Sequence, residues 1–309
     1  MKIYVLSRNE NLYSTNRLVE EANARGWDVQ VIDYLKCTIE IMKNELVVNY
    51  EGKVLPTPDA IIPRIGASRT FYGAAMVRHF EMIDVFSTTG NLALTRSRDK
   101  LRSLQVLSKN DVDMPRTVFA SNKSSAKDVI ELSGGAPLVL KILEGTQGVG
   151  VVLVDSEKAA KSVLDAFYGM DVNLLVQEYI EEAGGADIRA LVVNGEVVGA
   201  MKRQGAEGDF RSNLHQGGSA SAYKLNRKEK ATAIAAARAM GLGVCGVDMI
   251  PSKRGPLVME VNSSPGLEGI EKSTNINIAA KIMEYIEKST KPTCSINPQK
   301  RKIKKDNIG

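Results

Sequence analysis

The chain has 309 residues, 43% hydrophobic and 25% charged, which is room for two or three packed units of ordinary globular composition. Its apolar runs are far too short to span a bilayer, so no membrane partner is expected. The net charge of +5 equals the excess of six basic side chains over Asp306 in residues 291–309, so the body is balanced, unlike a nucleic-acid binder with a basic folded face.

In chain order, residues 2–6 alternate at once as a strand, without the pattern of a signal peptide, and the cytoplasm is the expected address. An amphipathic helix at 13–25 and a second strand at 28–32, beyond the stop signal Gly26, give a βαβ opening. Short strands are predicted at 45–50, 60–63 and 84–86, with a helix at 71–80. Residues 1–95 thus read as a small doubly wound α/β domain. Asp33 at the end of the second strand invites a dinucleotide reading, but the turn at 7–11 has no glycine, which rejects a Rossmann cofactor site.

From Arg96 the pattern changes. A basic helix at 97–109 precedes a strand at 117–120, a helix at 125–132, and strands at 137–143 and 149–154 around Glu144-Gly145-Thr146-Gln147-Gly148. A helix at 157–167 and a strand at 174–179 follow. Strands at 188–193 and 197–201 meet across Asn194-Gly195 as a hairpin. The polar, glycine-rich stretch 205–218 leads to a strand, a helix at 227–240, a strand pair and a last helix at 277–288. Cys37, Cys245 and Cys294 are odd in number and widely spaced, which fits neither a disulfide framework nor a zinc site. The basic residues 291–309 read as a solvated, disordered tail, the one place where a nucleic-acid contact stays open.

The sharpest chemical feature is Asp248 on one apolar strand and Glu260 and Asn262 on the next. Alternation puts Glu260 and Asn262 on one face and Leu257, Met259 and Val261 on the other. Carboxylates inside apolar strands are costly unless something pairs them, and an all-oxygen set favours a hard cation such as magnesium. A polar sheet edge facing solvent accounts for the same residues. Lys141, inside Pro-Leu-Val-Leu-Lys-Ile-Leu, needs an anion, and the glycine turn after it can lay N–H groups over phosphate oxygens. A hairpin turn beside a snorkelling lysine explains that pair too. The cluster Arg203, Arg211, Ser212, Asn213 and His215 can neutralise phosphate or carboxylate, or can belong to a solvated loop.

In order, Lys141 with its glycine turn, Gln177-Glu178-Tyr179-Ile180, Asp187-Ile-Arg189, Asp248 and Met259-Glu260-Val-Asn262-Ser-Ser-Pro-Gly resemble the ATP-grasp superfamily. Arg98-Asp-Lys100, residues 143–150, 207–215 and 264–271, together with Pro63-Arg-Ile-Gly66 and Thr70-Phe-Tyr-Gly73, are similar to the RimK family of α-L-glutamate ligases. The resemblance implies an α/β and α+β chain, with a doubly wound pre-ATP-grasp domain (1–95) before a two-lobed ATP-grasp fold (96–290). Within the latter it implies a lid-like lobe about 115–180 and a metal-binding lobe about 181–290, with the tail 291–309 outside the pattern.

The resemblance also implies a site and a reaction. ATP would be bound by Lys100, Lys141, Gly145, Gly148, Gly150, Glu178, Tyr179, Asp187, Arg211, Ser212 and Asn213. Two Mg2+, with Mn2+ as a substitute, would be held by Asp248, Glu260 and Asn262, Glu260 bridging. Arg203, Arg211 and Asn213 would act in catalysis; apart from the resemblance, Arg64, Arg203 and Arg211 are expected to clamp substrate carboxylates. L-glutamate would be added to the C-terminus of a small-subunit ribosomal protein through an acyl phosphate, by a homotetramer. A ligase of the same mechanism acting on a small molecule, and a nucleotide-binding regulator without turnover, are the rival readings.

Overall fold

The computed structural model describes residues 1–121, 124–143, 150–206, 210 and 217–290. The expected opening is present as β1 (Lys2–Leu6), α1 (Tyr13–Ala24) and β2 (Asp28–Ile32). Asp33, set aside above as a ribose ligand, instead caps the next turn, its carboxylate accepting from the Leu35 N–H at 3.1 Å. The chain then leaves the sheet for an antiparallel meander, β3 (Cys37–Met42), β4 (Glu45–Tyr50) and β5 (Lys53–Val54). The sequence reading placed a strand at 45–50 but missed β3. The turn that makes β3 a hairpin partner is Lys43-Asn44, with Asn44 at φ 61°, and it lacks the glycine that signals such turns.

The chain returns as β6 (Ala60–Pro63), crosses by α2 (Thr70–Met82) and ends the parallel sheet at β7 (Phe86–Ser87), giving the order β2-β1-β6-β7. All pairings are parallel, so the carboxyl ends share one edge, where ligands of open α/β sheets sit. Arg64 follows β6 on that edge.

The basic helix expected at 97–109 is two helices, α3 (Asn91–Arg98) and α4 (Lys100–Lys109). Asp99 breaks them: its backbone is extended and its carboxylate caps α4, accepting from the Arg102 N–H at 2.9 Å. The break sets Arg98 and Lys100 on either side of a corner rather than along one helix. Then come β8 (Thr117–Ala120), α5 (Ala126–Ser133), β9 (Leu138–Ile142), β10 (Val151–Val154), α6 (Glu157–Gly169) and β11 (Leu174–Glu178). The strands form an antiparallel sheet in the order β10-β9-β11-β8, and α5 and α6 bury Val129, Ile130, Ala160 and Leu164 against Leu138, Leu140 and Val176.

The last part holds β12 (Ala186–Val193), β13 (Glu196–Gln204), β14 (Ser219–Ala222), α7 (Arg227–Met240), β15 (Val244–Ser252), β16 (Gly255–Asn262), α8 (Glu268–Thr274) and α9 (Ile278–Ser289). Its antiparallel sheet runs β14-β13-β12-β15-β16. One face packs under α7, where Ala233, Ala236 and Met240 meet Ile188, Ala190, Val247, Met249, Val258 and Val261. On the opposite face Leu191, Val193 and Met201 meet α9 residues Ile278, Ile282, Met283 and Ile286 together with Ile3, Val5 and Leu18 of the first domain. One core therefore joins the two units. Glu271 fastens this junction, accepting from the Tyr13 hydroxyl at 2.9 Å, Arg17 Nε at 3.1 Å and the Ile278 and Ala279 N–H groups that open α9.

The strict alternation expected along 257–262 fails at one place. The pairing passes from Asp248↔Glu260 to Met249↔Val258, so Met259 is an extra bulge residue and Val258 and Val261 share the α7 core. The junction is also tight at Gly243, where a Cβ would lie 2.8 Å from the Thr88 carbonyl and 2.5 Å from the Tyr285 hydroxyl. Gly243→Ala is expected to destabilise the protein by about 1–3 kcal/mol, read as a lowered denaturant midpoint. No helix among the described residues is long and apolar enough to cross a membrane.

Candidate active site

Register brings charge into two neighbouring rows on one face of the last sheet. Asp187 on β12 pairs with Arg203 on β13, Arg189 on β12 with Asp248 on β15, and Asp248 with Glu260 on β16. These side chains continue the face that α9 covers further along, beyond the reach of that helix. Arg189 clasps Asp248 in a bidentate pair, Nε to Oδ1 at 2.7 Å and an amino nitrogen to Oδ2 at 2.6 Å. Arg203 reaches the same Oδ2 at 2.8 Å and holds both oxygens of Asp187. Burial alone would raise the Asp248 pKa, but the two guanidiniums together hold it well below the usual carboxylate range.

This corrects the argument from buried charge. Asp248 is already compensated by arginines, so its burial does not call for an ion. Arg203, expected to act in catalysis and clamp a substrate carboxylate, is spent on Asp187 and Asp248. Asp187, expected at a ribose, is 2% exposed with both oxygens engaged by Arg203, so its placement supports a bracing role instead.

Glu260 is the exception. Its carboxylate has no hydrogen bond or ion pair among the described residues. Its side chain reaches water, while the protein packed around it and then the Asp248 carboxylate raise its pKa against Arg189, Lys141 and Arg203. Asn262 lies two residues on, its Oδ1 accepting from the Ser264 N–H at 2.9 Å. Beside it, the buried Ser263 and Ser264 hydroxyls have no partner among the described residues.

Three of roughly four carboxylate lone-pair sites of Asp248 are taken by arginine, leaving one on Oδ1. Among the described residues no three His, Cys, Asp or Glu side chains converge in metal-binding fashion. The donor set still fits a hard cation that keeps other oxygen ligands: Glu260 in full, the Asn262 amide oxygen and one Asp248 contact.

The middle sheet supplies the cations opposite. Lys141 on β9 donates to Gln177 Oε1 on β11 at 2.6 Å, and Gln177 in turn donates to Thr117 Oγ1 at 2.8 Å. Burial pushes Lys141 down to about 8, with Glu260 opposing and Lys100 assisting. Lys100 donates to the Ile142 and Leu143 carbonyls at 3.1 and 2.9 Å, which places its charge at the mouth of the β9–β10 turn. Burial lowers its pKa too, against Glu260. Gly150 closes that turn, its carbonyl accepting from the Ile142 N–H at 2.9 Å and its φ at 75°.

Glu178, ending β11, accepts the Arg116 N–H at 2.6 Å and the Arg254 guanidinium on the same oxygen, tying the middle sheet to the β15–β16 turn. Its second oxygen has no hydrogen bond among the described residues. Tyr179 sets its ring edge-on to Phe210 at 6.5 Å. Gly145, Gly148, Arg211, Ser212 and Asn213 lie outside the described residues.

Sequence reasoning missed Gln177 as the Lys141 anchor, Arg254 as a lobe-to-lobe tie, and Arg189 and Arg203 as the counter-ions of Asp248. The signal for the last was available: Asp187-Ile-Arg189 puts opposite charges on one strand face two residues apart.

Comparison with known proteins agrees with this layout. Residues 97–286 match the family model described as the RimK-like ATP-grasp domain, and residues 1–94 that described as the RimK PreATP-grasp domain. The chain belongs to the RimK family. It is a ligase of the ATP-grasp fold. A relative from Saccharophagus degradans named a probable alpha-L-glutamate ligase is 60% identical over 292 residues, covering 94% of this chain and 97% of its own. Among solved structures, the ATP-grasp ligase PsnB, complexed with a phosphomimetic variant of its minimal precursor, Mg and ADP, superimposes with TM-score 0.72 at 18% identity, covering 94% of this chain and 98% of its own. The D-alanine–D-alanine ligase of Bacillus anthracis complexed with ATP does so with TM-score 0.68 at 18% identity, covering 94% and 97%. These two likenesses bear on the fold of the RimK chain. Membership among ligases sets aside the regulator without turnover.

Proposed function

We propose that this RimK-family chain is an ATP-dependent carboxylate–amine ligase that adds L-glutamate to the C-terminus of a small-subunit ribosomal protein. The observation that carries the reading is Glu260, with no hydrogen bond or ion pair among the described residues, lying within electrostatic reach of Lys100 and Lys141. That is an arrangement for a polyanion brought together with a divalent ion. ATP would lie between the middle and last sheets, with its phosphates toward Lys100, Lys141 and the 144–150 turn and its base near Glu178 and Tyr179. Arg211, Ser212 and Asn213 stay in the proposal as further nucleotide and catalytic groups.

Asp248, Glu260 and Asn262 would hold two Mg2+, replaceable by Mn2+, with Glu260 shared. When bound, the ions would neutralise phosphate charge during transfer. Arg189 and Arg203 fix Asp248 in place, and Gln177 keeps the Lys141 ammonium aimed into the cleft. In the reaction, an acceptor carboxylate oxygen attacks the γ-phosphorus and ADP leaves. The glutamate amine then attacks the acyl carbon and phosphate leaves, forming an amide. Positioning and charge neutralisation supply most of the rate, which is why cations rather than nucleophilic side chains line the site.

Hydroxylamine added in place of glutamate should trap the activated acceptor as a hydroxamate with ADP release. Amide product formed with no trappable hydroxamate would remove the acyl phosphate from the scheme. A small-molecule acceptor is separated in the same assay by supplying dipeptides against ribosomal-protein peptides. The tetramer is checked by light scattering.

Lys141 predicts a pH dependence. The ammonium form attracts phosphate, so kcat/KM for ATP should fall as pH rises through about 8. Lys141→Arg, which stays charged, should move that falling limb to higher pH. A flat limb in both proteins would show that Lys141 does not contact the nucleotide.

A further inference from the structure

Four cations gather in this part of the molecule: Lys100, Lys141 and Arg98, each within electrostatic reach of Glu260, and Arg64, which feels Arg98. The two lysines sit at the β9–β10 turn and serve the phosphates in the reading above. The two arginines come from elsewhere. Arg64 follows β6 at the carboxyl edge of the parallel sheet, and its guanidinium has no hydrogen bond or ion pair among the described residues. Arg98 ends α3, just before the Asp99 corner. One of its amino nitrogens donates to the Ile65 carbonyl at 2.7 Å, which seats it against the loop that carries Arg64, and its buried Nε has no partner among the described residues.

Both are only partly exposed, and each lies in an electrostatically unfavourable place. Burial and then Arg98 push Arg64 down to about 10, and burial lowers Arg98 against the pull of Glu260 and Tyr34. Two enclosed guanidiniums with open donors are unfavourable in the free protein, and a planar anion would relieve both at once.

We propose that Arg64 and Arg98 form a carboxylate site, supplied by the first domain, that recognises an acidic group of a reacting substrate beyond the carboxylate and amine that react. The inference rests on the ligase reading and deepens it. The site would take the second carboxylate of the incoming amino acid or an acidic side chain at the acceptor terminus. Either source has the same chemistry, and the enzyme would use it to reject the matching amide, because an amide leaves a half-buried guanidinium poorly paired.

The test uses the full chain and two discrimination ratios, each a quotient of kcat/KM values: L-glutamate over L-glutamine, and an acceptor peptide ending in a glutamyl residue over one ending in glutaminyl. Wild-type turnover with glutamate is established first, so failure of the ligase reading shows itself before any variant is made. Arg64→Met, close in shape and uncharged, should lower one ratio about tenfold or more, and which ratio falls identifies the source. Its melting temperature should hold or rise, because the removed charge has no partner among the described residues, and Arg64→Lys should restore the ratio only in part. Both ratios unchanged, or a loss confined to ATP affinity, would overturn the proposal.

Discussion

Glu260→Gln should lower turnover by roughly 10²–10³-fold, the scale seen when one preorganised electrostatic group is removed from a polar active site. The substitution keeps shape and one oxygen acceptor while removing the charge. In the free protein that charge is a liability: burial and the Asp248 carboxylate already raise its pKa, and no described side chain bonds it. The melting temperature of the variant should therefore be equal to or above that of the parent. Loss of activity with retained or improved stability identifies a group kept for the reaction. Thermal melts beside steady-state ADP release decide it, and near-parental turnover at limiting magnesium would remove Glu260 from the ion site.

Asp248→Ala should do the opposite to stability. Asp248 is the shared acceptor for Arg189 and Arg203, with side-chain exposures of 3%, 14% and 7% respectively. Its removal strands Arg189, because Arg203 keeps Asp187. Breaking a buried pair by deleting one partner costs about 3–5 kcal/mol. Asp248→Asn, which keeps an acceptor oxygen but not the charge, should fall between. The pH dependence has a fixed sign. The folded-state pKa of Asp248 is held below its unfolded value, so this stabilisation is complete above the ordinary carboxylate range and is lost only as pH falls below it. Denaturant midpoints measured across acid pH should show a wild-type advantage over Asp248→Asn that shrinks toward low pH. A constant difference would mean the arginine pairing is not its source.

Much of this layout is legible in the amino-acid sequence because its signals are local. The βαβ opening follows from Gly26 and the apolar period around it, the β12–β13 hairpin from Asn194-Gly195, and the Glu260–Asn262 face from two-residue alternation. What escaped was set by contacts between distant segments. Asp99 looked like the interior of a basic helix, since only its carboxylate on the Arg102 N–H shows it to be a cap. Met259 looked like a core position, since a bulge is fixed by the neighbouring strand and not by its own residues. Asp248 reads in the sequence as a buried charge that a metal ion would pair, whereas the fold pairs it first with arginines and leaves one contact on Oδ1. Its counter-ions lie 59 and 45 residues away and arrive only through the register of β12, β13 and β15. Arg64 shows the converse case. Expected as one of three carboxylate clamps, it has no hydrogen bond or ion pair among the described residues, whereas Arg203 is occupied by aspartates.

The central claim is that this cleft joins a glutamate amine to an acceptor carboxylate at the expense of ATP. Mass spectrometry of a ribosomal-protein C-terminal peptide after incubation with enzyme, ATP, Mg2+ and L-glutamate tests it most directly. The account predicts a product heavier by whole glutamyl residues, with one ADP formed per residue added and none of this product with Glu260→Gln at matched times. An unmodified peptide, under conditions where the enzyme joins glutamate to a small molecule instead, would contradict the proposed acceptor. ADP formation with no amide product on any acceptor would contradict the ligase chemistry itself.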